Sequence, residues 1–292
     1  MGRVRLTCAA AVALLAGGSW FATPASAAAA SQPLSTVLAA GTATIGSSSA
    51  VRMELQGARV AGSAPPPIIG TGAFDFANSR GVIDLEVPAP GGATALHRTL
   101  FLPTVVYVRP PSPRASSLPA GKDWIVATLN QTESTSTNFP QFVLQEEGLS
   151  PLLEIQQLVW GAVSAKTIAP RRIGPDSAPG YQVRVDLRRA ASQAVRTNAA
   201  LTLAIQTEIN GLGGTTTAPK SSVISEKVWV AHGKVAVVQL SPPGAGIGLT
   251  TTTLSRYGIR VAIHVPPPSS VTDIASLTPA GEQESGPESD VA

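Results

Sequence analysis

Cysteine is almost missing from this chain of 292 residues, which has one, Cys8. That residue sits in a leader segment expected to be removed, so disulfides and thiolate chemistry are excluded from the mature protein. Histidine is nearly as scarce. His97, His232 and His264 are the only three, and no two stand at metal-ligand spacing. His232 reads as a turn residue and the others as strand residues, so neither metal nor other cofactor is expected. Aromatics make up 4% of the chain, and the three Trp beyond the leader, Trp124, Trp160 and Trp229, are scattered. No stacking platform for nucleic acid follows from them. Serine and threonine are plentiful, but none stands in a G-x-S-x-G elbow. Asp84 and Glu86 share one strand face, whereas an acid/base pair usually spans its substrate from different elements. Gly244 to Gly248 follows Pro242-Pro243 and opens no helix, which argues a hairpin loop and not a phosphate cradle. With no catalytic constellation, the expectation is a protein that is not an enzyme.

Long apolar runs are also lacking. Arg3 and Arg5 precede an apolar stretch, Ala9 to Ala16, and Pro24-Ala25-Ser26-Ala27 supplies small residues at an A-x-A site. This pattern predicts a signal peptide over residues 1–27, cleaved after Ala27. Gly17-Gly18-Ser19 interrupts the apolar stretch, leaving it short of the ~20 residues that span a bilayer. Cys8 has no apolar run before it and is not a lipidation site. The mature chain is therefore expected to be exported to the cell envelope or medium, soluble and without a lipid anchor. Loss of Arg3 and Arg5 lowers the formal charge from +3 to +1. Glu282, Glu284, Glu288 and Asp290 then fall in a Pro/Gly/Ser-rich end, so residues 276–292 read as a disordered acidic tail and residues 28–275 as one domain. That domain is mildly basic. Its charge suits an anionic phospholipid or glycolipid headgroup, with Arg171-Arg172 and Arg188-Arg189 as candidate contacts, and is too dispersed for nucleic acid.

Alternation is what the chain has in abundance. Val228 to Val238 reads as a hairpin whose His232-Gly233 turn pairs Val230 with Val235 and Val228 with Val237. Tyr181 to Leu187 and Ile259 to Val265 alternate in the same way. Earlier strands are predicted over Ala43 to Leu55, around Ala73-Phe74-Asp75-Phe76 and Val82 to Val87 with a turn at Asn78 to Gly81, over Leu100 to Arg109, and over Trp124 to Leu129. Pro33 to Ala40 reads as a short opening helix. A firmer helix begins at Ser150-Pro151, where a capping residue precedes a proline at the first helical position and Glu154 favours the N-terminus. Leu152, Ile155, Leu158 and Val159 form its apolar stripe. Another helix is predicted over Arg189 to Ile209. Helices interrupting an otherwise antiparallel chain make an α+β fold.

The order of the pieces carries a further signal. Gly70-x-Gly72-Ala73-Phe74-Asp75-Phe76, Arg80-Gly81, Val105 to Pro110, Gly121-Lys122-x-Trp124, the helix after Ser150-Pro151, Gly180-Tyr181-x-Val183-x-Val185-Asp186-Leu187, Val228-Trp229-Val230, and Tyr257-Gly258-Ile259-x-Val261 through Pro266-Pro267 succeed one another over residues 35 to 275. This succession resembles the actinobacterial LppX/LprG-type envelope proteins. The resemblance implies a LolA-like fold, a strongly curved antiparallel β half-barrel whose concave face is covered by helices around a hydrophobic cavity. It also implies binding and carriage of a lipid or glycolipid across the cell envelope, with a membrane transporter or membrane surface as a candidate partner. On that basis the candidate ligand-binding residues are Leu152, Ile155, Val159, Val183, Val185, Val228 and Val230. The same stripes also suit a closed core, and an envelope sensor or protein-interaction module is the alternative use of such a fold. One departure stands out: members of this group are mostly lipoproteins with a cysteine after the signal peptide, where this chain has Thr23 to Ala27.

Overall fold

A computed structural model describes residues 25–56, 66–88, 94–110, 118–128, 150–195, 205, 222–240 and 249–277. Helix α1 (Ala25–Ile45) leads into strands β1 (Ser48–Leu55), β2 (Ile68–Asp75), β3 (Arg80–Pro88), β4 (Thr94–Phe101), β5 (Val105–Arg109) and β6 (Trp124–Thr128). Helix α2 (Pro151–Gly161) runs directly into β7 (Ala162–Ile173), followed by β8 (Asp176–Asp186), helix α3 (Leu187–Ala194), β9 (Val223–Ala231), β10 (Lys234–Leu240), β11 (Thr250–Ser255) and β12 (Val271–Asp273). Short 3-10 turns at Pro268–Ser270 and Ile274–Ser276 bracket β12.

All twelve strands among the described residues join one sheet in the order β12-β6-β5-β4-β3-β2-β1-β11-β10-β9-β8-β7. Every pairing is antiparallel except β12 with β6, and the outer strands β7 and β12 do not meet, so the curved sheet stays open. Alternation sorts its side chains. Val51 and Met53, Ile83 and Leu85, Val183 and Val185, and Val228 and Val230 all enter one buried core on the face that α1, α2 and α3 cover. We call this the inner face.

The fold is the α+β class expected, with corrections in detail. The His232-Gly233 turn forms as read, both residues at positive φ, and Val230 pairs with Val235. A bulge at Ala236 then shifts the register, so Val228 pairs with Val238 and Val237 pairs with Trp229. Val237 thereby joins Ala178 and Trp229 in a small cluster on the outer face. Val235 to Val238 are all buried, so apolarity alone leaves open which face each takes. Ile259 to Val265 alternates in exposure but is not a strand. The place beside β1 is taken by the β-branched run Thr250–Ser255. Leu100 to Arg109 is two strands with a turn between, and β1 starts at Ser48, after α1 has run on to Ile45. The helix expected over Arg189 to Ile209 starts two residues earlier, at Leu187, where Asp186 accepts the N–H groups of Arg188 and Arg189; most of its expected C-terminal half lies outside the described residues. Strand β7 had no apolar alternation to announce it, because it is an edge strand exposed along most of its length.

Glycine sets the curvature of the first half. A Cβ on Gly72 would lie 1.9 Å from the Val82 carbonyl oxygen, so β2 and β3 approach there more closely than any side chain allows. On the neighbouring strand β3, Gly81 lies under the Phe74 ring, which packs against Phe101 with centroids 5.3 Å apart.

The end of α1 is tied to the sheet. Thr44 is fully buried; its Oγ1 donates to Ala40 O and accepts the Val235 N–H at 3.0 Å. Tyr257 donates its phenol proton to the carbonyl of the same Val235 and lies under the Lys234 ammonium. Burial pushes the Tyr257 phenol up to about 12, partly offset by its hydrogen bond with Thr44. Because the folded-state value lies above the ordinary 10.0, the associated stability is present below pH 10 and is lost as pH rises toward 12. Alkaline absorbance titration of the wild type minus Tyr257→Phe is expected to show a tyrosinate step near 12; a step near 10 would mean that the ring is open to water.

Candidate functional site

The seven candidate residues come from three elements. On α2, Pro151 occupies the first turn, and Ser150 contributes its carbonyl, which accepts the Glu154 N–H at 3.1 Å, but no side-chain cap. Residues 151 to 158 are all buried, so α2 is enclosed on every side and not along one stripe. Val183 and Val185 on β8 face it from the sheet, and Val228 and Val230 on β9 enter the same core. Leu152, Ile155, Val183, Val185, Val228 and Val230 share the main core. Val159, half-buried, lies at the crossing of α2 with α1, where a Cβ on Gly41 would be 2.6 Å from its Cγ2. Gly161 allows the other close approach: a Cβ there would stand 2.8 Å from Val185 Cγ1 and 3.1 Å from Ala190 Cβ.

The inner face continues past this point. Val106 and Val108 on β5, and Ile125 and Ala127 on β6, form two small clusters separate from the main core. Register places them on the inner face, since Val108 pairs with both Thr99 and Ile125, and Thr99 with Ile83. Helices α1 and α2 rest chiefly on β7 to β10.

Polar groups that sequence reasoning passed over lie on the same face. Glu226 alternates with Ile224 and Val228 and is fully buried between its register partners Val183 and Leu240. Glu154 and Gln157 on α2 are also fully buried, and all three take part in polar interactions. Thr252, between Met53 and Val238, has a buried hydroxyl with no hydrogen-bond partner among the described residues. The period-two pattern around Val228 extends to Glu226, where the alternating position holds a charged residue in place of an apolar one.

The remaining candidates separate. His97 is buried on β4, His264 is exposed, and His232 at its turn lies 3.1 Å from Asp176. Asp84 takes a two-pronged contact from Arg98, its cross-strand partner, at 2.6 and 2.8 Å, which raises the Arg98 pKa, while Glu86 is exposed. Arg171 stacks over Trp229 with 5.3 Å to the ring centroid, and Arg172 donates to Gly174 O. Arg188 and Arg189 are exposed on the first turn of α3. Gly244 to Gly248 lies outside the described residues.

No family model and no curated protein matches this chain. Solved structures do match it. The fold is similar to that of LppX. The lipoprotein LppX of Mycobacterium tuberculosis aligns over 80% of this chain and 99% of its own, at 11% identity and a TM-score of 0.43. LprF of Mycobacterium bovis aligns over 81% of this chain and 97% of its own, at 12% identity and 0.42. A LolA superfamily protein of Nitrosomonas europaea covers 79% of this chain and 94% of its own, at 8% identity and 0.32. These are likenesses of architecture. Among the described residues no helix is long and apolar enough to cross a membrane.

Proposed function

We propose that this protein is an exported, non-enzymatic lipid-binding carrier of the cell envelope, freed from residues 1–27 and holding acyl chains between the inner face and α2. The observation that carries this reading is the inner face itself. It carries apolar side chains from β8 across to β6 on an open sheet, in one main core and two smaller clusters, with the two longest described helices concentrated over one half of it. An acyl chain needs such a surface, because each methylene left in water costs about 0.8 kcal/mol, or on the order of 10 kcal/mol for a whole chain. Leu152, Ile155, Val159, Val183, Val185, Val228 and Val230 are the proposed lining, reached when α2 moves from the sheet. The buried carboxylates and amides beside them suit a ligand whose polar part also carries hydroxyl groups, as a glycolipid does.

Mass spectrometry of organic extracts from the mature chain, secreted and purified without detergent, tests the reading. Near-stoichiometric lipid or glycolipid is expected. A lipid-free protein that also takes up no fluorescent acyl probe would overturn the proposal, and a stable protein partner in its place would favour the interaction-module alternative.

A further inference from the structure

The outer face of the sheet carries a patch of unopposed positive charge. Lys166 on β7, Arg184 on β8 and Lys227 on β9 are exposed there, each alternating with inner-face neighbours such as Ala165, Val183 and Val228. Register puts Lys166 and Lys227 on either side of Gln182, and Arg184 between Ser164 and Ser225. With strands ~4.8 Å apart, the three cations originate within about 10 Å of one another. A groove of about 490 Å³ lies beside Lys166 and Arg184, lined also by Ser164, Gln182 and Ser225 and by the apolar Ala165, Val223 and Ile224. Gln182 Nε2 donates to Ser225 Oγ at 3.0 Å, which orders the polar wall.

Among the described residues no carboxylate pairs with this charge. The acids of these strands are committed elsewhere: Asp176 holds His232, Asp186 caps α3, and Glu226 is buried on the opposite face. Among the described residues, no ion pair involves Lys166, Arg184 or Lys227. Like charges within about one Debye length repel, so the cluster contributes nothing to stability by itself and gains from an anion. The outer-face acids Glu54, Asp84 and Glu86 sit on β1 and β3, toward the other half of the sheet. That half also carries Arg52, Arg98 and Arg109 on the same face, with Arg98 paired to Asp84, so its charges balance more closely.

We propose that the β7–β9 groove is a docking face for an anionic membrane, taking the phosphate of a glycerophospholipid headgroup between Lys166 and Arg184. It sets the outer face of β7 to β9 against the bilayer, with α1 and α2 on the opposite face of the same strands. This goes beyond the carrier reading and does not depend on it.

The test is sedimentation of the full chain with vesicles of phosphatidylglycerol and, separately, of phosphatidylcholine. Salt-sensitive binding to the first alone is expected. Each cation near an anionic surface contributes about a fivefold gain, so Lys166→Glu/Arg184→Glu/Lys227→Glu is expected to weaken binding on the order of 100-fold. A charge-matched control, Arg52→Glu/Arg109→Glu/Arg260→Glu, keeps most of it. Equal loss in both triples would overturn the proposal, because net charge alone would then explain binding. So would a wild type that binds inorganic phosphate by calorimetry but ignores vesicles. If the groove triple does not fold, Lys166→Gln/Arg184→Gln carries the same comparison. Acyl-probe uptake without vesicles, measured on the same variants, should equal wild type and separates this result from failure of the carrier reading.

Discussion

A chain carrying Gly41→Cys and Val159→Cys is expected to close a disulfide between α1 and α2 and to lose acyl-probe uptake until it is reduced. The geometry is favourable: a Cβ on Gly41 stands 4.0 Å from Val159 Cβ, within the ~3.5–4.5 Å that disulfides require. The cysteine at 159 also removes the Cγ2 methyl that would clash. Cys8 is the only native cysteine, and it precedes the expected cleavage site, so no competing pair arises. Because α1 is tied to β10 through Thr44, the new bond extends that anchorage to α2. If ligand enters as α2 leaves the sheet, oxidised protein should load on the order of tenfold more slowly or worse, as when a closed lid gates a site. Stability should rise at the same time by roughly 2–4 kcal/mol, because the bond closes a long loop. Stopped-flow uptake with and without reductant reads the first effect, and thermal melting the second. Oxidised protein that loads at the reduced rate would show that α1 and α2 need not part.

The second large effect is expected at Gly72. In Gly72→Val the new Cβ meets the Val82 carbonyl oxygen at 1.9 Å and Ile83 Cα at 2.9 Å, both backbone atoms that no rotamer change can move. Strands β2 and β3 must separate in the middle of the sheet, losing ladder hydrogen bonds and the packing of Ile83 and Leu85. A cost above ~4 kcal/mol is expected, among the larger single-residue effects known. For a domain of this size that lowers Tm by about 10 °C or more. Gly121→Ala is the contrast. Its φ is +78° but nothing lies within 4 Å of the added methyl, so only the backbone preference is lost, about 1 kcal/mol. Melting curves of the two variants that coincide would remove the close approach of β2 and β3 as the source of the curvature.

Much of the architecture was legible where one face of an element is covered and the other is wet. Val183 and Val185 between Gln182, Arg184 and Asp186 could only be a half-buried strand, and Ser150-Pro151 before Leu152 only a helix start. The reading failed where both faces are covered or neither is. Val235 to Val238, buried on both faces, hid a bulge, and β7, exposed along its length, left no pattern. Ile259 to Val265 failed for a third reason, since a strand exists only where a neighbour offers hydrogen bonds, and Thr250–Ser255 held that place. The candidate residues were chosen as apolar alternation and did meet in one core, but Glu226 shares their face and alternation without sharing their chemistry.

By itself the sequence determined many of the elements, the α+β class, the scarcity of reactive side chains and the alternation that makes much of one face of the sheet apolar, because these depend on local periodicity and composition. Only the tertiary structure decided that twelve strands form one open sheet, that α1 is tied down at Thr44 while crossing α2 at Gly41, and that Lys166, Arg184 and Lys227 converge on the outer face. Those facts depend on register between segments far apart in the chain, which no local pattern records.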